Sequence, residues 1–399
     1  MRHAQVLIVG AGPVGTVAAS YLARHGIDII LLEALPTWAK DLRASTFHPP
    51  TLEMMAELGV VDVLISQGLK SPVYQYRERQ SSESFAFDLT ELSDITDFQY
   101  RLQCEQFKLT RHLCEILVNH PHVKLLFSHR VIDLEQDNDG VTVHAETPTS
   151  NESFRADYVI AAEGADSVIR KLVNIDFEGF TYPEKFVTLS TSYPLEKHFD
   201  GLVNVNYIAD PDAWVLLLRT PALWRVLVPA PERLSDEYLM SDEYKDHVFQ
   251  DLIGKSSGIE TGHRTIYRVH QRVAKKYRVE RVLLAGDAAH LNNPLGGFGM
   301  NCGIHDAWNL CEKLVRVLAE SAGQSLLDLY EKQRQTVTRD FIQTQSIKNK
   351  EMMEQSSKER LEQQRRELQH IISDDSLRIE YLLAQALFTS LRDAAEISL

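Results

Sequence analysis

QVLIVGAGPVGTVAASYLARHGIDIILLE, residues 5–33, decides the fold. Gln5–Val9 is a short apolar run of β-branched character. Pro13–His25 then carries Val14, Val17, Ala18, Tyr21 and Leu22 at three- and four-residue spacing, which predicts a helix. Gly26 ends it, and Ile27–Leu32 is a second apolar strand closing on Glu33. A strand, a helix and a strand in so short a span predict a parallel sheet with a right-handed crossover. Gly10 permits the tight turn, Gly12 lets the backbone approach a pyrophosphate, and Gly15 lets the helix lie close to the sheet. The helix start offers free N–H donors and a partial positive charge to phosphates. Glu33 follows Gly15 by 18 residues, where a carboxylate accepts from ribose hydroxyls. The expectation is a dinucleotide site. An acid at this position disfavours a 2′-phosphate, so FAD or NAD suits it better than NADP.

Composition narrows the class. A chain of 399 residues allows about two domains, each with its own core. A net charge of −14 lacks the broad basic footprint of a nucleic-acid binder. No apolar run suits a membrane span, and the N-terminus enters a strand-like run rather than a signal peptide. Cys104, Cys114, Cys302 and Cys311 show no CxxC spacing and read as thiols of a reducing cytoplasm, without metal.

Further along, Thr51–Leu58 and Phe107–Asn119 read as helices. Val123–Phe127, Arg130–Gln136, Val141–Glu146 and Tyr158–Ala162 read as strands. Phe177–Pro231 changes character, with β-rich runs at Val187–Tyr193, Leu202–Ile208, Ala213–Arg219 and Trp224–Val228. These predict a separate antiparallel sheet, which Pro72–Asp88 joins. Val279–Ala285 returns to a buried strand, and from Met300 the chain is mostly helical. Lys348–Gln369 is densely charged and reads as a solvated helix with one packed face.

Three more stretches carry chemistry. Arg43, ten residues past Glu33, is either a surface cation or a phosphate or ribityl contact. In AAEGADSVIR, residues 161–170, a strand enters a small-residue turn where Asp166 and Ser167 can cap the next helix. LLAGDAAH, residues 283–290, delivers Asp287 at a strand's carboxyl end, the edge where open α/β sheets bind ligands. NPLGGFGMN, residues 293–301, then opens a helix whose N–H donors can face an electron-rich ring edge. His290 offers itself as an acid–base group, or as a histidine satisfied by local hydrogen bonds.

Together these motifs, in this order, resemble the FAD-dependent aromatic monooxygenases of the para-hydroxybenzoate hydroxylase type, over about residues 4–345. The resemblance implies that Gly10, Gly12, Gly15 and Glu33 hold the ADP half of FAD and that Arg43 contacts the cofactor. It implies a glutamine contact, Gln103, with Gln106 as the alternative, and an adenine contact at Val131. It implies that the segment Glu163–Asp166 serves both FAD and the nicotinamide cofactor. Asp287 would bind the ribityl chain, and Gly299, Met300 and Asn301 would lie beside the flavin pyrimidine edge. One departure is Asn293-Pro294, where the family has two prolines.

The fold class implied is α/β: a Rossmann-like FAD-binding domain, an interleaved antiparallel-sheet substrate domain and a helical C-terminal tail. Residues 1–71, 100–176 and 270–345 would form the first, 72–99 and 177–269 the second, and 346–399 the tail. The activity implied is hydroxylation of a small aromatic substrate, phenolic or hydroxypyridine in type, by O₂ through a flavin C4a-hydroperoxide. NADH or NADPH would bind transiently as reductant. A flavin-dependent reductase or N-hydroxylase on the same fold is the alternative. The enzyme would be a cytoplasmic monomer or homodimer. Substrate walls are expected from the second sheet and the last loop: Tyr193, Tyr207, Trp214, Arg219 and Pro294, with Trp224 and Arg225 also on those strands. Alternation lets only about half of the strand residues face inward.

Overall fold

The computed structural model describes residues 2–40, 42–79, 83–210, 213–255, 257–354 and 358–399. The opening motif folds as its spacing requires. Strand Arg2–Val9 runs parallel to Ile29–Leu32 on one side and to Asn151–Ala161 on the other. Helix Pro13–Arg24 makes the crossover. Val123–Leu126 and Val282–Leu284 extend the parallel core at its two edges. Arg130–Asp137 and Gly140–Glu146 form an antiparallel arm on Asn151–Ala161. Val6, Leu7, Ile8, Leu31, Val159 and Leu283 are wholly buried. Strands covered on both faces are apolar throughout rather than alternating.

One strand needs correcting. Val279–Ala285 is not a single strand but a hairpin, Arg278–Val279 against Val282–Leu284, turning where Glu280 takes a φ of 53°. The charged pair Glu280-Arg281 makes a tight turn without glycine.

The second sheet has eight strands in the order His290–Leu291, His263–Ala274, Phe177–Thr191, Trp224–Ala230, Val215–Arg219, Val205–Ala209, Val73–Glu78, Ser84–Asp88. Only Val205–Ala209 and Val73–Glu78 pair in parallel. His263–Ala274, HRTIYRVHQRVA, escaped the sequence reading because its arginines and histidines mask the alternation. Each face of this sheet has its own core. On one, Val187, Leu189, Val215, Leu217, Trp224 and Val226 pack under helix Asp242–Ile253. On the other, Tyr74, Tyr76, Phe186, Tyr207, Trp214 and Leu216 meet Leu295 and the C-terminal helices.

The charged tail closes this second core. Helix Lys358–Ser373 turns Leu368 inward, and Leu382 and Leu383 of helix Asp375–Gln385 join it. Arg365 sits between Glu78 (2.6 Å) and Glu83 (2.7 Å). Among the described residues no helix is long and apolar enough to cross a membrane.

Candidate active site

At the nucleotide end, Gly12 is extended and no side chain caps the helix it precedes. A Cβ placed on Gly12 meets nothing within 4 Å, whereas one on Gly15 would lie 1.9 Å from the Gly10 carbonyl oxygen. Gly10 itself has a φ of +98° against the Ala162 carbonyl. The turn therefore leaves open space only at the point where the first N–H groups of the helix emerge. Glu33 accepts from the backbone N–H of Ala11 (2.8 Å) and of Leu35 (2.9 Å), which fixes its carboxylate across the strand ends. His129 N–H donates to the Glu33 carbonyl (2.8 Å), so the strand bearing buried Val131 starts beside Glu33.

The turn at Glu163–Asp166 begins against Gly10. Glu163 accepts from the Ser167 hydroxyl and the Ile169 N–H, both at 2.8 Å, and burial raises its carboxyl pKa. Arg170 donates to the Ala288 carbonyl (2.9 Å) and the Ala165 carbonyl (2.8 Å). It thereby joins this turn to the one carrying Asp287.

Asp287 lies in the turn Gly286–Ala288, its side chain open to the cleft at the carboxyl end of Val282–Leu284. Dense protein round it raises its carboxyl pKa by desolvation, and His290 and Arg43 oppose that rise. Arg43 is therefore close enough to be felt at Asp287, although its own side chain is exposed. His290 is not an acid–base group in the cleft. It is fully buried and bonds Asp306 at 2.7 Å, and Arg334 holds the other oxygen of Asp306 at 2.7 Å.

The glycine loop is pinned from both sides. Asn293 N–H donates to Gln271, and its amide donates to the Ser346 carbonyl (2.8 Å). Asn301, wholly buried, accepts from the His48 N–H (3.0 Å) and donates to the carbonyls of Thr46 and Gly297. Its side chain clamps the loop, which leaves only the backbone of Gly299, Met300 and Asn301 for a ligand. Helix Phe298–Ala319 starts at Gly297 (φ +72°) without a side-chain cap. Asn293 thus does the anchoring at the position where the family has a proline, and exposed Pro294 accepts from the Gly297 N–H (3.0 Å).

The substrate-wall candidates divide by face. Tyr207 and Trp214 lie on the face with Leu295; Trp214 packs edge-on against Phe186. Tyr193 and Arg219 do not, and this corrects their assignment. Tyr193 bonds His198 on the opposite face, and Arg219 stacks there over Trp224, whose indole donates to Glu196. The strands begin at Val205, Val215 and Trp224, and that register decides which alternate set turns toward the loop. Arg225 does face the cleft side, but it is spent on the Arg43 carbonyl (2.6 Å) and the Ser45 hydroxyl (3.0 Å).

Sequence reasoning missed Arg101. The short strand Arg101–Gln103 lies between Thr46–Phe47 and Leu69–Ser71. It carries Arg101, 1% exposed, next to Tyr74 and Tyr207. Gln103 on the same strand is fully buried; its carbonyl accepts from Thr46 (2.9 Å) and its amide nitrogen has no hydrogen-bond partner among the described residues. Gln106 is half-buried on the first turn of helix Gln106–Leu117, its N–H bonded to the Ala44 carbonyl. Two uncapped helix starts and an open carboxylate thus meet at the sheet edge, where Val14 of the first helix and Gly303 of the other both lie against Gly286. That donor and acceptor set fits FAD: N–H groups for its phosphates and ring edge, Asp287 and Glu33 for its hydroxyls.

Comparison with known proteins agrees. A family described as "FAD binding domain" matches residues 3–345. The chain is 32% identical over 358 residues to para-nitrophenol 4-monooxygenase of Pseudomonas sp. (strain WBC-3), covering 88% of this chain and 87% of that one. It is 32% identical over 340 residues to 6-hydroxy-3-succinoylpyridine 3-monooxygenase HspB of Pseudomonas putida (strain DSM 28022 / S16), covering 85% of each. The crystal structure of p-nitrophenol 4-monooxygenase PnpA from Pseudomonas putida DLL-E4 superposes with a TM-score of 0.92 at 30% identity, over 98% of this chain and 99% of that one.

Proposed function

This chain belongs to the FAD binding domain family and is an FAD-dependent aromatic monooxygenase, and from that premise we propose that its substrate is a small phenol or hydroxypyridine. The observation that carries the reading is the seat of the glycine loop. Leu295 packs into the core of Tyr74, Tyr207 and Trp214, while Gly297 two residues on lies against Thr46 and His48. A flat ring held there would meet cofactor on one side and aromatic side chains on the other.

Bound FAD supplies hydride acceptance from NAD(P)H and oxygen transfer from O₂. The chain's own residues hold and orient. The N–H groups after Gly12 receive the pyrophosphate, Glu33 and the Val131 strand the adenosine, and Arg43 with Asp287 the ribityl region. Gln106, beside Ala44, suits the cofactor contact better than Gln103, which lies at the substrate end. The start of helix Phe298–Ala319 faces the ring edge. Tyr207, Trp214 and Pro294 line the substrate, and the tail helices exclude water behind Tyr76. The two large sheets support a division into a cofactor part (1–71, 100–176, 270–345), a substrate part (72–99, 177–269) and a tail, with His263–Ala274 crossing the boundary at 270. Four buried free thiols support a cytoplasmic enzyme.

A panel of phenols and hydroxypyridines tests the reading by NAD(P)H oxidation and product mass. Stimulated oxidation with a product heavier by one oxygen on the ring is expected. Oxidation without oxygen incorporation, or oxygen placed only on an amine, would return the reductase or N-hydroxylase reading.

Asp287→Ala is expected to lower FAD affinity about 10- to 100-fold, the scale of hydrogen bonds to a charged partner. Because desolvation raises the Asp287 pKa, its charge does not stabilise the unliganded fold. The melting temperature without FAD should therefore hold, and most of the FAD-dependent increment should vanish. A lower apo value with the increment intact would instead make Asp287 a local cap.

A further inference from the structure

We propose that Arg101 anchors an anionic oxygen carried by the aromatic substrate, a phenolate or a ring carboxylate, and that Tyr207 donates a second hydrogen bond to the same oxygen. This rests on the hydroxylase reading above and adds the ionic state of the ring that the site accepts.

Among the described residues, Arg101 is a buried cation without a counter-charge. Only 1% of it is exposed. Its Nη1 donates to the Tyr207 oxygen at 3.2 Å, and its guanidinium carbon lies 4.1 Å from the centre of the Tyr74 ring. Among the described residues its Nε and Nη2 have no hydrogen-bond partner, and no carboxylate forms an ion pair with it. Buried arginines are ordinarily paired, because an isolated charge out of water is strongly unfavourable. A ring face offsets only part of that.

The surroundings are rich in donors. Tyr207 accepts from Arg101, so its own O–H proton is left to donate elsewhere. The Tyr74 hydroxyl is buried without a partner among the described residues, and burial keeps that phenol protonated by raising its pKa. His48 bonds the Gly296 carbonyl through Nε2 at 2.8 Å, which requires a proton on that nitrogen. Burial, with Arg101 adding to it, holds His48 neutral, so it brings no balancing charge. Arg225, the other arginine on this side, is already spent on backbone and Ser45. What Arg101 and Tyr207 lack is an anionic oxygen, and the loop Leu295–Gly297 runs from this core to Thr46 and His48, on the side assigned above to the cofactor.

The test uses the FAD-loaded enzyme and the change in flavin absorbance on ligand binding. In each of two pairs of probes one O-methyl group removes the charge: 4-nitrophenol against 4-nitroanisole, and 4-hydroxybenzoate against its methyl ester, at a pH where 4-nitrophenol is ionised; the Arg101 variants separate the loss of charge from the bulk of the methyl group. The wild type is expected to prefer the charged member of one pair by about 10- to 100-fold. The pair that shows the preference tells phenolate from carboxylate. Arg101→Gln should erase that preference and leave the neutral member within about twofold, Arg101→Lys should restore part of it, and Tyr207→Phe should weaken the charged member alone. Equal binding of charged and neutral members by the wild type overturns the proposal, as does silence from all four probes. So does an Arg101→Gln protein that keeps its FAD and melting temperature yet weakens both members equally, since Arg101 would then only hold the tyrosines in place. If Arg101→Gln does not fold, the wild-type pairs and Tyr207→Phe still decide. Charged-member preference without ring oxygenation would sink the hydroxylase reading and leave the anchor standing.

Discussion

Gly12→Ala should fold like the wild type and bind almost no FAD, whereas Gly15→Ala should fail at the level of the fold. The two glycines sit three residues apart in one motif, but their surroundings differ. At Gly12 the backbone is extended, with φ −74° and ψ −174°, a region open to any residue, and an added Cβ meets nothing within 4 Å. The unliganded protein should stay within about 0.5 kcal/mol of wild type. The space that the Cβ takes is the space through which a pyrophosphate reaches the uncapped N–H groups, so FAD retention should drop about 100-fold or more. At Gly15 the Cβ would stand 1.9 Å from the Gly10 carbonyl oxygen. Neither partner is a side chain that can rotate away. Helix Pro13–Arg24 must lift off the strand Arg2–Val9, and overpacking of this kind costs about 1–3 kcal/mol or more. Urea unfolding of both apo proteins, followed by FAD titration, separates the effects. A Gly12→Ala protein that keeps wild-type FAD affinity would refute the phosphate assignment. A Gly15→Ala protein of wild-type stability would refute the close approach.

These two residues show what was legible in the sequence. The glycine turn is a local device: its spacing, its strand and its helix lie within one short stretch, so pattern alone locates it. Asp287 was legible for a related reason, since an apolar strand followed by Gly-Asp places a carboxylate at a sheet edge. Arg101 was not legible. Arg-Leu-Gln is three residues long and polar at both ends, and it is buried only because Thr46 and Leu69 arrive from elsewhere in the chain to pair with it. The charged helix Lys358–Ser373 hides its role in the same way: Leu368 is one buried position among glutamates and arginines, and the partners that bury it lie on strands about 280 residues earlier. Tyr193 and Arg219 failed differently. The strand of Arg219 was found, but a shift of one residue in register exchanges the two faces of a sheet; Tyr193 lies beyond the strand read for it, which ends at Thr191.

Loss of Asp306 should cost the fold heavily. Sequence reading passed over it as one more polar position on helix Phe298–Ala319. Its two oxygens are fully buried and fully used. One accepts from the Gly286 N–H (3.1 Å) and from His290 (2.7 Å), and the other accepts from Arg334 Nε (2.7 Å). The carboxylate thereby joins the turn bearing Asp287 to two helices that are separate in sequence. Burial alone would raise its pKa, but His290 and Arg334 together hold it below the usual carboxylate range. A depressed carboxylate stabilises the fold above its unfolded pKa of about 3.9, and that contribution is lost as pH falls through the lower folded value. Asp306→Ala leaves the Arg334 guanidinium buried and unpaired, and removal of one partner from such a pair costs about 3–5 kcal/mol. Urea midpoints at neutral pH should fall accordingly, with the slope against urea unchanged. The gap between wild type and variant should then narrow below about pH 4, because only the wild type has that carboxylate to lose. Asp306→Asn should recover little, since its NH₂ group cannot accept from Arg334 or from the Gly286 N–H. The double variant Asp306→Ala/Arg334→Met should recover more, because it removes the stranded charge. A single variant within about 1 kcal/mol of wild type, with the same dependence on pH, would mean that water replaces the carboxylate and that the network is not what fixes the Asp287 turn.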